Sequence, residues 1–511
     1  MLTILNIPNR DIYHLLPNLI SDYIQNKIPN SLFENSFHPE TILKVIQKKK
    51  DFPLEKRKIL KDIITKQNLS NHPEVIKNIH KIDQPNTFFI TTGHQLNLFG
   101  GPAFVFYKIA TAIHLSKYFS KHYPEYNFIP LFWMATEDDD IEEINSFDTP
   151  GISFKINTTY KGIVKNLPLE DISLSFRKLE KEHLLDPIIQ YLQIIIQDFY
   201  DNASNYAHAH HRLIQHFFEN HGLLILDPSD NKFKDMVRYV LDEEVNYQVI
   251  SQSIEQQNKI LTDHNYKLQA FNRSVNFFKI IDNQRIYIEK NEDIGSSTPF
   301  TWNVLSRPVI QEFALPNVAY IGGMNELSYW FQSMASFEHF QLSPPLLVPR
   351  SSWFFATHNL IKPVTKYHFP VSKLIEPEHL FYQFLNRWIA SKENFTLHDL
   401  IEKMNIIQGQ ISQRIEEVDS TLIASHEKVR KHYQRELEKI EKKAIRSLKK
   451  RNKILIDKIT KVRQFFLPAG QWQERKIHFL ELYLNFGKEK WTDLLIQHSN
   501  PFEDIVKTGI V

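Results

Sequence analysis

The chain of 511 residues contains no cysteine. Disulfide bonds, cysteine-ligated zinc and a cysteine nucleophile are therefore excluded. No apolar stretch approaches the roughly 18 residues needed to span a bilayer. The opening residues, MLTILNIPNRDIYHLLPNLI, are interrupted by Pro8, Arg10 and Asp11 and show neither an apolar signal core nor a cleavage pattern. A cytoplasmic location is expected. Charge of one sign is not in excess either. The 61 basic and 59 acidic residues leave +2, which argues for neither nucleic acid nor membrane as a partner. A Walker loop, a GxSxG elbow, an HExxH helix and internal repeats are all missing. What is present is a chain that is 42% hydrophobic and 23% charged, enough to bury a large core in two to four units.

Residues 1 to about 85 read as helical, polar and charged. Thr87 to Thr92 is a short apolar run rich in β-formers, and Phe128 to Ala135 is another. Between them lies a helix from about Pro102 to Phe119, with proline suited to its first turn. Strand, crossover helix and strand make a right-handed parallel βαβ unit. Leu223 to Asp227, Ala319 to Ile321 and Leu346 to Val348 are expected as further strands of that sheet. Helical stretches near 186–221, 229–258 and 325–339 lie between them, and 265–310 reads as a β-rich insertion. The predicted class is α/β, a Rossmann-like parallel sheet core with inserted connecting segments plus an α-helical coiled-coil domain. The core with its N-terminal helices spans 1–375, the arm 376–466, and a segment returning to the core 467–511.

The arm is marked by composition. Glycine and proline are missing after Pro377 until Gly409, and again until Pro468. Apolar residues recur in steps of three and four from Ile411 through Val418, Tyr433 and Leu448 to Phe466, a coiled-coil spacing. Residues 426–466 hold 15 Lys/Arg against 5 Asp/Glu, a local +10. Lysines on a helix without interleaved aromatic residues read as a solvated face rather than a nucleic-acid site.

In an open parallel sheet, ligands bind beyond the carboxyl ends of the strands. Polar clusters fall at those ends. They are Gly93-His94-Gln95 followed by Phe99-Gly100-Gly101, Thr136 with Glu137-Asp138-Asp139-Asp140, Asp227, Gly322-Gly323 with Asn325 and Glu326, and Arg350-Ser351-Ser352. Glycines before a helix let backbone amides approach an anion, although the same glycines serve in plain turns. His94 at the mouth of the loop either caps the turn or stabilises charge on a phosphate. Four consecutive carboxylates repel one another unless a cation is present, which suggests Mg²⁺ or a substrate ammonium. Glu142 and Glu143 read as surface helix residues, and so do His208, His210 and His211. Glu326 is either a helix cap or a site residue. Arg350 and Arg273 are either structural ion pairs or carboxylate and phosphate contacts.

Taken together, these stretches resemble a known family. Thr91 to Pro102, Phe132 to Asp138, Phe271-Asn272-Arg273, Gly322 to Trp330, Val348 to Ser352, and Leu467 to Gly470 with Gln473-Glu474-Arg475 are similar to the bacillithiol biosynthesis BshC family, in order along nearly the whole chain. The resemblance implies a Rossmann-like core related to nucleotidylyltransferases and class I synthetases, and a coiled-coil domain that forms a homodimer. It implies a ligase that adds cysteine to glucosaminyl-malate in the last step of bacillithiol synthesis. It also places Tyr329 in a binding motif. Asp139 departs from the family pattern by standing where a histidine is usual, which favours a metal or ammonium site over a base there.

Joining a carboxylate to an amine requires activation, so ATP or ADP with Mg²⁺ is expected. On this reading His94, Gln95, Glu137, Asp138 and Asp140 are catalytic, and Asp138 and Asp140 hold the metal. Gly93, Phe99, Gly100, Gly101, Gly322, Gly323, Glu326 and Tyr329 contact substrate or nucleotide, with Asn272, Arg273 and Arg350 beside carboxylates. The alternatives are a nucleotidylyltransferase acting on another small substrate, and a catalytically inert coiled-coil dimeric scaffold.

Overall fold

Short runs of aromatic and β-branched residues become strands here because both faces of the sheet they form are covered. The computed structural model describes residues 3–29, 32–393, 395 and 397–510. The chain divides into two units, one made of 1–355 with 473–511 and the other of 356–472. The expected arm, 376–466, lies inside the second unit, which begins earlier and ends later.

Five parallel strands form the main sheet of the first unit. In spatial order they are Leu346–Pro349, Asn317–Gly322, Thr87–His94, Asn127–Met134 and Leu224–Leu226. Thr92 pairs with Phe132 on one side and with Ile321 on the other. Side chains alternate between two apolar layers. Phe132 and Met134 enter one with Phe106 and Ile113, whereas Ile129, Leu131 and Trp133 enter the other with Phe233 and Val237. The order of connection reverses between Thr87–His94 and Asn317–Gly322. That reversal opens a crevice beyond the carboxyl ends of these two strands.

The helix Ala103–His122 follows the first strand, and the expected insertion contains a small antiparallel sheet of Gln284–Tyr287, Phe277–Ile281 and Phe300–Trp302. The predicted helix over 229–258 is two helices, Asn231–Tyr247 and Val249–Asp263, broken at Gln248 with its positive φ of 56°.

Two expectations are corrected. The N-terminal region is not wholly helical: Thr3–Ile7 is a strand, antiparallel to Val506–Ile510. The histidines of Tyr206–Phe218 do not all face solvent. His210 and His211 are buried, whereas His208, beside Ser204, is exposed, as is His216 further along the helix.

The second unit contains the helices Glu378–Lys392, His398–Val418, Ile423–Arg451 and Lys453–Phe466. The apolar series of coiled-coil spacing is interrupted at Asp419, where φ −160° and ψ 104° leave the helical region and the carboxylate caps Thr421. A second break falls at Asn452. Ile406, Ile407, Ile411, Val418, Val429, Tyr433 and Ile440 remain exposed. Among the described residues, no helix is long and apolar enough to cross a membrane.

Three buried histidines give the first unit a definite response to acid. Burial lowers the pKa of His210 and His478 to about 3 and that of His211 to about 4. The folded chain refuses protons that the unfolded chain accepts below about pH 6.5. Each such group therefore costs about 1.4 kcal/mol of stability per pH unit as pH falls from there toward its folded value. Replacing His478 by Asn keeps an acceptor for the amide of Leu480. Urea unfolding between pH 6 and 4 is expected to show a slope shallower by about 1.4 kcal/mol per unit in His478→Asn. An unchanged slope would show that His478 protonates freely in the folded state.

Candidate active site

A cavity of about 730 Å³ opens at the point where the strand order reverses. Gly93, His94 and Gln95 enter it from the first strand, and Glu137, Asp138 and Asp139 from the turn after Asn127–Met134. Gly323, Glu326 and Tyr329 come from the segment after Asn317–Gly322, Arg273 and Arg285 from the insertion, and Arg350 from the edge strand. Side chains that sequence reasoning passed over line it as well, among them Phe104, Lys108, Trp133, Arg307 and Arg475.

The floor is a buried polar network. Lys108 donates to the Gly93 carbonyl at 2.9 Å and pairs with Glu326. Glu326 also accepts from the Gly323 amide at 3.0 Å and from the Tyr320 hydroxyl, which accepts in turn from Arg307 at 2.6 Å. Glu326 is thus both the helix cap and a charge partner. Burial works against its ionised form, but the charges of Lys108 and Arg307 outweigh burial and hold its pKa below the usual range. Gly93 has no room for a side chain: a Cβ there would lie 2.3 Å from Arg307 Nη2 and 3.0 Å from the Trp133 carbonyl.

His94 packs against Phe104 with ring centroids 4.9 Å apart. Burial, and then the charge of Lys108, hold its pKa well below the ordinary histidine value, so the ring is neutral at pH 7. Its Nδ1 lies 3.3 Å from the Gln95 carbonyl. Assigned from that partner, the tautomer turns an acceptor Nε2 outward. A neutral ring offers hydrogen bonding but no charge to a phosphate.

The four carboxylates after Asn127–Met134 have three separate fates. Glu137 is buried against Lys234, with Lys165 3.7 Å away. Asp138 accepts from Gln95 Nε2 at 2.5 Å and pairs with Arg285 at 2.9 Å, and Asp139 pairs with the same guanidinium at 3.1 Å. Asp140 is not among the residues that line the cavity and caps Ile141–Ile144 through the Glu143 amide. The expected Mg²⁺ site on Asp138 and Asp140 is therefore not the arrangement found. Protein cations relieve the repulsion instead. Among the described residues, no three Asp, Glu or His side chains converge as metal ligands, so the donor set does not fit a resident Mg²⁺.

The phosphate cradle expected from Phe99-Gly100-Gly101 is a core turn. Phe99 is fully buried, and the amides of Gly100 and Gly101 are spent on Asn97 and Leu98 carbonyls. At φ 92° and 76°, side chains in their place would strike Phe479 and Asn97. Gly322 is also buried and gives its carbonyl to the Arg350 amide. Asn272 stays outside the cavity, holding Ser251 and Asn276, while the adjacent Arg273 lies 4.3 Å from the Tyr287 ring at the rim. Glu244 organises this loop by accepting from the amides of Ile250, Ser251 and Asn276, and burial pushes its pKa up to about 7. Glu143, expected on the surface, lines the cavity.

Arg350 forms a buried bidentate pair with Glu474, at 2.7 and 2.5 Å, which commits two of its nitrogens. Four polar atoms of lining residues are buried with no protein partner: Arg350 Nε, Arg285 Nε, Gln95 Oε1 and Trp133 Nε1. Left unsatisfied, each costs about 1–3 kcal/mol. Arg350→Met is expected to lower the unfolding free energy by about 3–5 kcal/mol, because it strands the Glu474 charge in the core. Urea titration should find Arg350→Met/Glu474→Leu less destabilised than either single variant. A double variant that loses the sum of the two would contradict the pairing.

Comparison with known proteins agrees with this architecture. The family model described as bacillithiol biosynthesis BshC, N-terminal Rossmann-like domain, matches residues 3–298 and 295–351. The one described as the BshC C-terminal coiled-coil domain matches 355–505. A protein of Flavobacterium psychrophilum named "Putative cysteine ligase BshC" is 32% identical over 85% of this chain and 86% of its own length. Proteins of the same name from Flavobacterium johnsoniae and Christiangramia forsetii are 29% and 28% identical, over 95% and 96% of this chain and 96% of each relative. With its Rossmann-like sheet, its coiled-coil unit and these relatives, the chain belongs to the bacillithiol biosynthesis BshC family of ligases.

Proposed function

We propose that the cavity joins the carboxyl group of cysteine to the amine of glucosaminyl-malate, with ATP activating the carboxylate. The observation that carries this reading is that one cavity is lined by charges of both signs. Lys108, Arg285, Arg307 and Arg350 line it together with Glu137, Asp138, Asp139, Glu143 and Glu326. Amide formation has to bring anionic carboxylate and phosphate groups next to an amine that arrives as an ammonium, and a site carrying both signs suits such a pair.

The chemistry sets the order of events. A carboxylate is a poor acyl donor because its leaving group would be an oxide. The cysteine carboxylate oxygen first bonds to a phosphorus of ATP, releasing pyrophosphate or ADP. The ammonium gives up one proton to become a nucleophile; its nitrogen then attacks the carbonyl carbon, AMP or phosphate leaves, and the nitrogen loses a second proton. Guanidinium groups that line the cavity hold carboxylate and phosphate oxygens. Asp138, oriented by Gln95 and Arg285, receives the amine, and neutral His94 offers it an acceptor nitrogen. The crevice where strand order reverses is the place such folds use for nucleotides.

Mass analysis of products tests this directly. The purified protein is incubated with glucosaminyl-malate, cysteine, ATP and Mg²⁺, and each is omitted in turn. A cysteinyl product that requires ATP is expected, formed about 10²-fold more slowly by Asp138→Asn. A nucleotide-bearing product with no amide would favour a nucleotidylyltransferase, and no product with no bound nucleotide would favour an inert scaffold.

The exposed apolar series of the second unit supports a homodimer through that unit. A seam this long is costly to leave in water. Sedimentation equilibrium is expected to give twice the chain mass, and Ile407→Glu/Ile411→Glu to give the monomer with the helix content retained. A wild-type monomer at micromolar concentration would contradict the pairing.

A further inference from the structure

The C-terminal segment contributes a cation to the cavity that the proposed chemistry leaves without a specific task. Gln473–Lys476 is a four-residue helix in the first unit, reached only after the whole second unit has intervened. Its neighbours are tied down. Gln473 grips the backbone of Phe355 with both ends of its amide, at 2.8 and 3.0 Å, and Glu474 holds Arg350. Lys476 stands 3.9 Å from Asp148. Arg475, between them, has no hydrogen-bond or ion-pair partner among the described residues, is exposed, and lines the cavity. Its guanidinium carbon lies 5.9 Å from the Phe104 ring centroid, and that of Arg350 lies 5.4 Å from the same ring. His94 packs on that ring as well. Two guanidiniums thus share one aromatic side chain, and the nearby carboxylate, Glu474, is taken by Arg350 alone.

The charge balance makes this corner cationic. Arg350, Arg475 and Glu474 leave one positive charge, and Lys108, Arg307 and Glu326 leave another. Planar guanidiniums match the paired oxygens of carboxylates and phosphates. We propose that Arg475, placed beside Arg350 across Phe104, forms a subsite for a dianionic group of a substrate, and that Arg475 determines the affinity for that group. The proposal rests on the reading of the cavity as the ligation site. Within that reading the dianion is either the dicarboxylate of the malyl aglycone or the polyphosphate of the nucleotide.

Calorimetric titration of the full-length protein separates the two sources, with malate as one probe and pyrophosphate as the other. Wild type is compared with Arg475→Gln, which removes the charge, with Arg475→Lys, which keeps the charge but loses the fork, and with Lys476→Gln as the neighbouring control. The expected result is a dissociation constant raised at least tenfold for one of the two anions in Arg475→Gln, a smaller rise in Arg475→Lys, and none in Lys476→Gln. The anion affected identifies the group. Equal affinities in wild type and Arg475→Gln would overturn the proposal, and so would a wild type that binds neither anion at 10 mM or below (a ceiling of about 3 kcal/mol). Binding needs no turnover. A wild type that loses affinity on Arg475→Gln yet forms no amide would sink the ligase reading and leave the subsite standing.

Discussion

The contact between Arg350 and Glu474 joins residues 124 apart in sequence, in a region where both side chains are almost fully buried. The chain leaves the first unit after Phe355 and returns at Gln473, and the ion pair sits at that closure with the Gln473 amide clamped on Phe355. A buried pair of this kind contributes little net stability compared with an apolar replacement, but breaking it is costly. Its consequence here is positional. It fixes where the returning segment meets the sheet edge, and so where Arg475 and the Phe479 ring stacked on Phe106 can lie.

The same economy of space governs the crevice at the strand reversal. Lys108, Glu326, Tyr320 and Arg307 satisfy one another around a backbone carbonyl, and Gly93 leaves just enough room for the Arg307 guanidinium. Opposite them, Arg285 holds Asp138 and Asp139 together, and Lys234 neutralises Glu137. What the cavity offers a substrate are a neutral imidazole, that of His94, and the rim cations Arg273 and Arg475.

The sheet was readable from sequence because buried parallel strands are continuous apolar runs bounded by turns, as in Phe88–Ile90 and Phe128–Met134. The polar ends of those runs place Gly93, His94, Glu137, Asp138, Glu326 and Arg350 on the lining of one cavity. Other features depend on partners far along the chain and leave no local trace. Thr3–Ile7 becomes a strand only because Val506–Ile510 lies beside it. Arg285 is one cation in a hairpin, Lys108 one in a helix, and Arg475 sits in a four-residue turn of helix. Spacing could have suggested Lys108, since Phe104 and Lys108 share a face at i and i+4. The Phe99-Gly100-Gly101 turn misleads for the opposite reason, because its glycines answer a need of backbone conformation and close packing rather than of a ligand.

The central claim is that this cavity forms an amide by transferring the oxygen of a carboxylate to phosphorus. The direct measurement uses cysteine labelled with ¹⁸O in its carboxyl group, with glucosaminyl-malate and ATP, and follows the label by mass spectrometry. The account predicts one ¹⁸O in AMP or in inorganic phosphate for each cysteinyl amide formed. An amide that forms with both phosphate products unlabelled would contradict it.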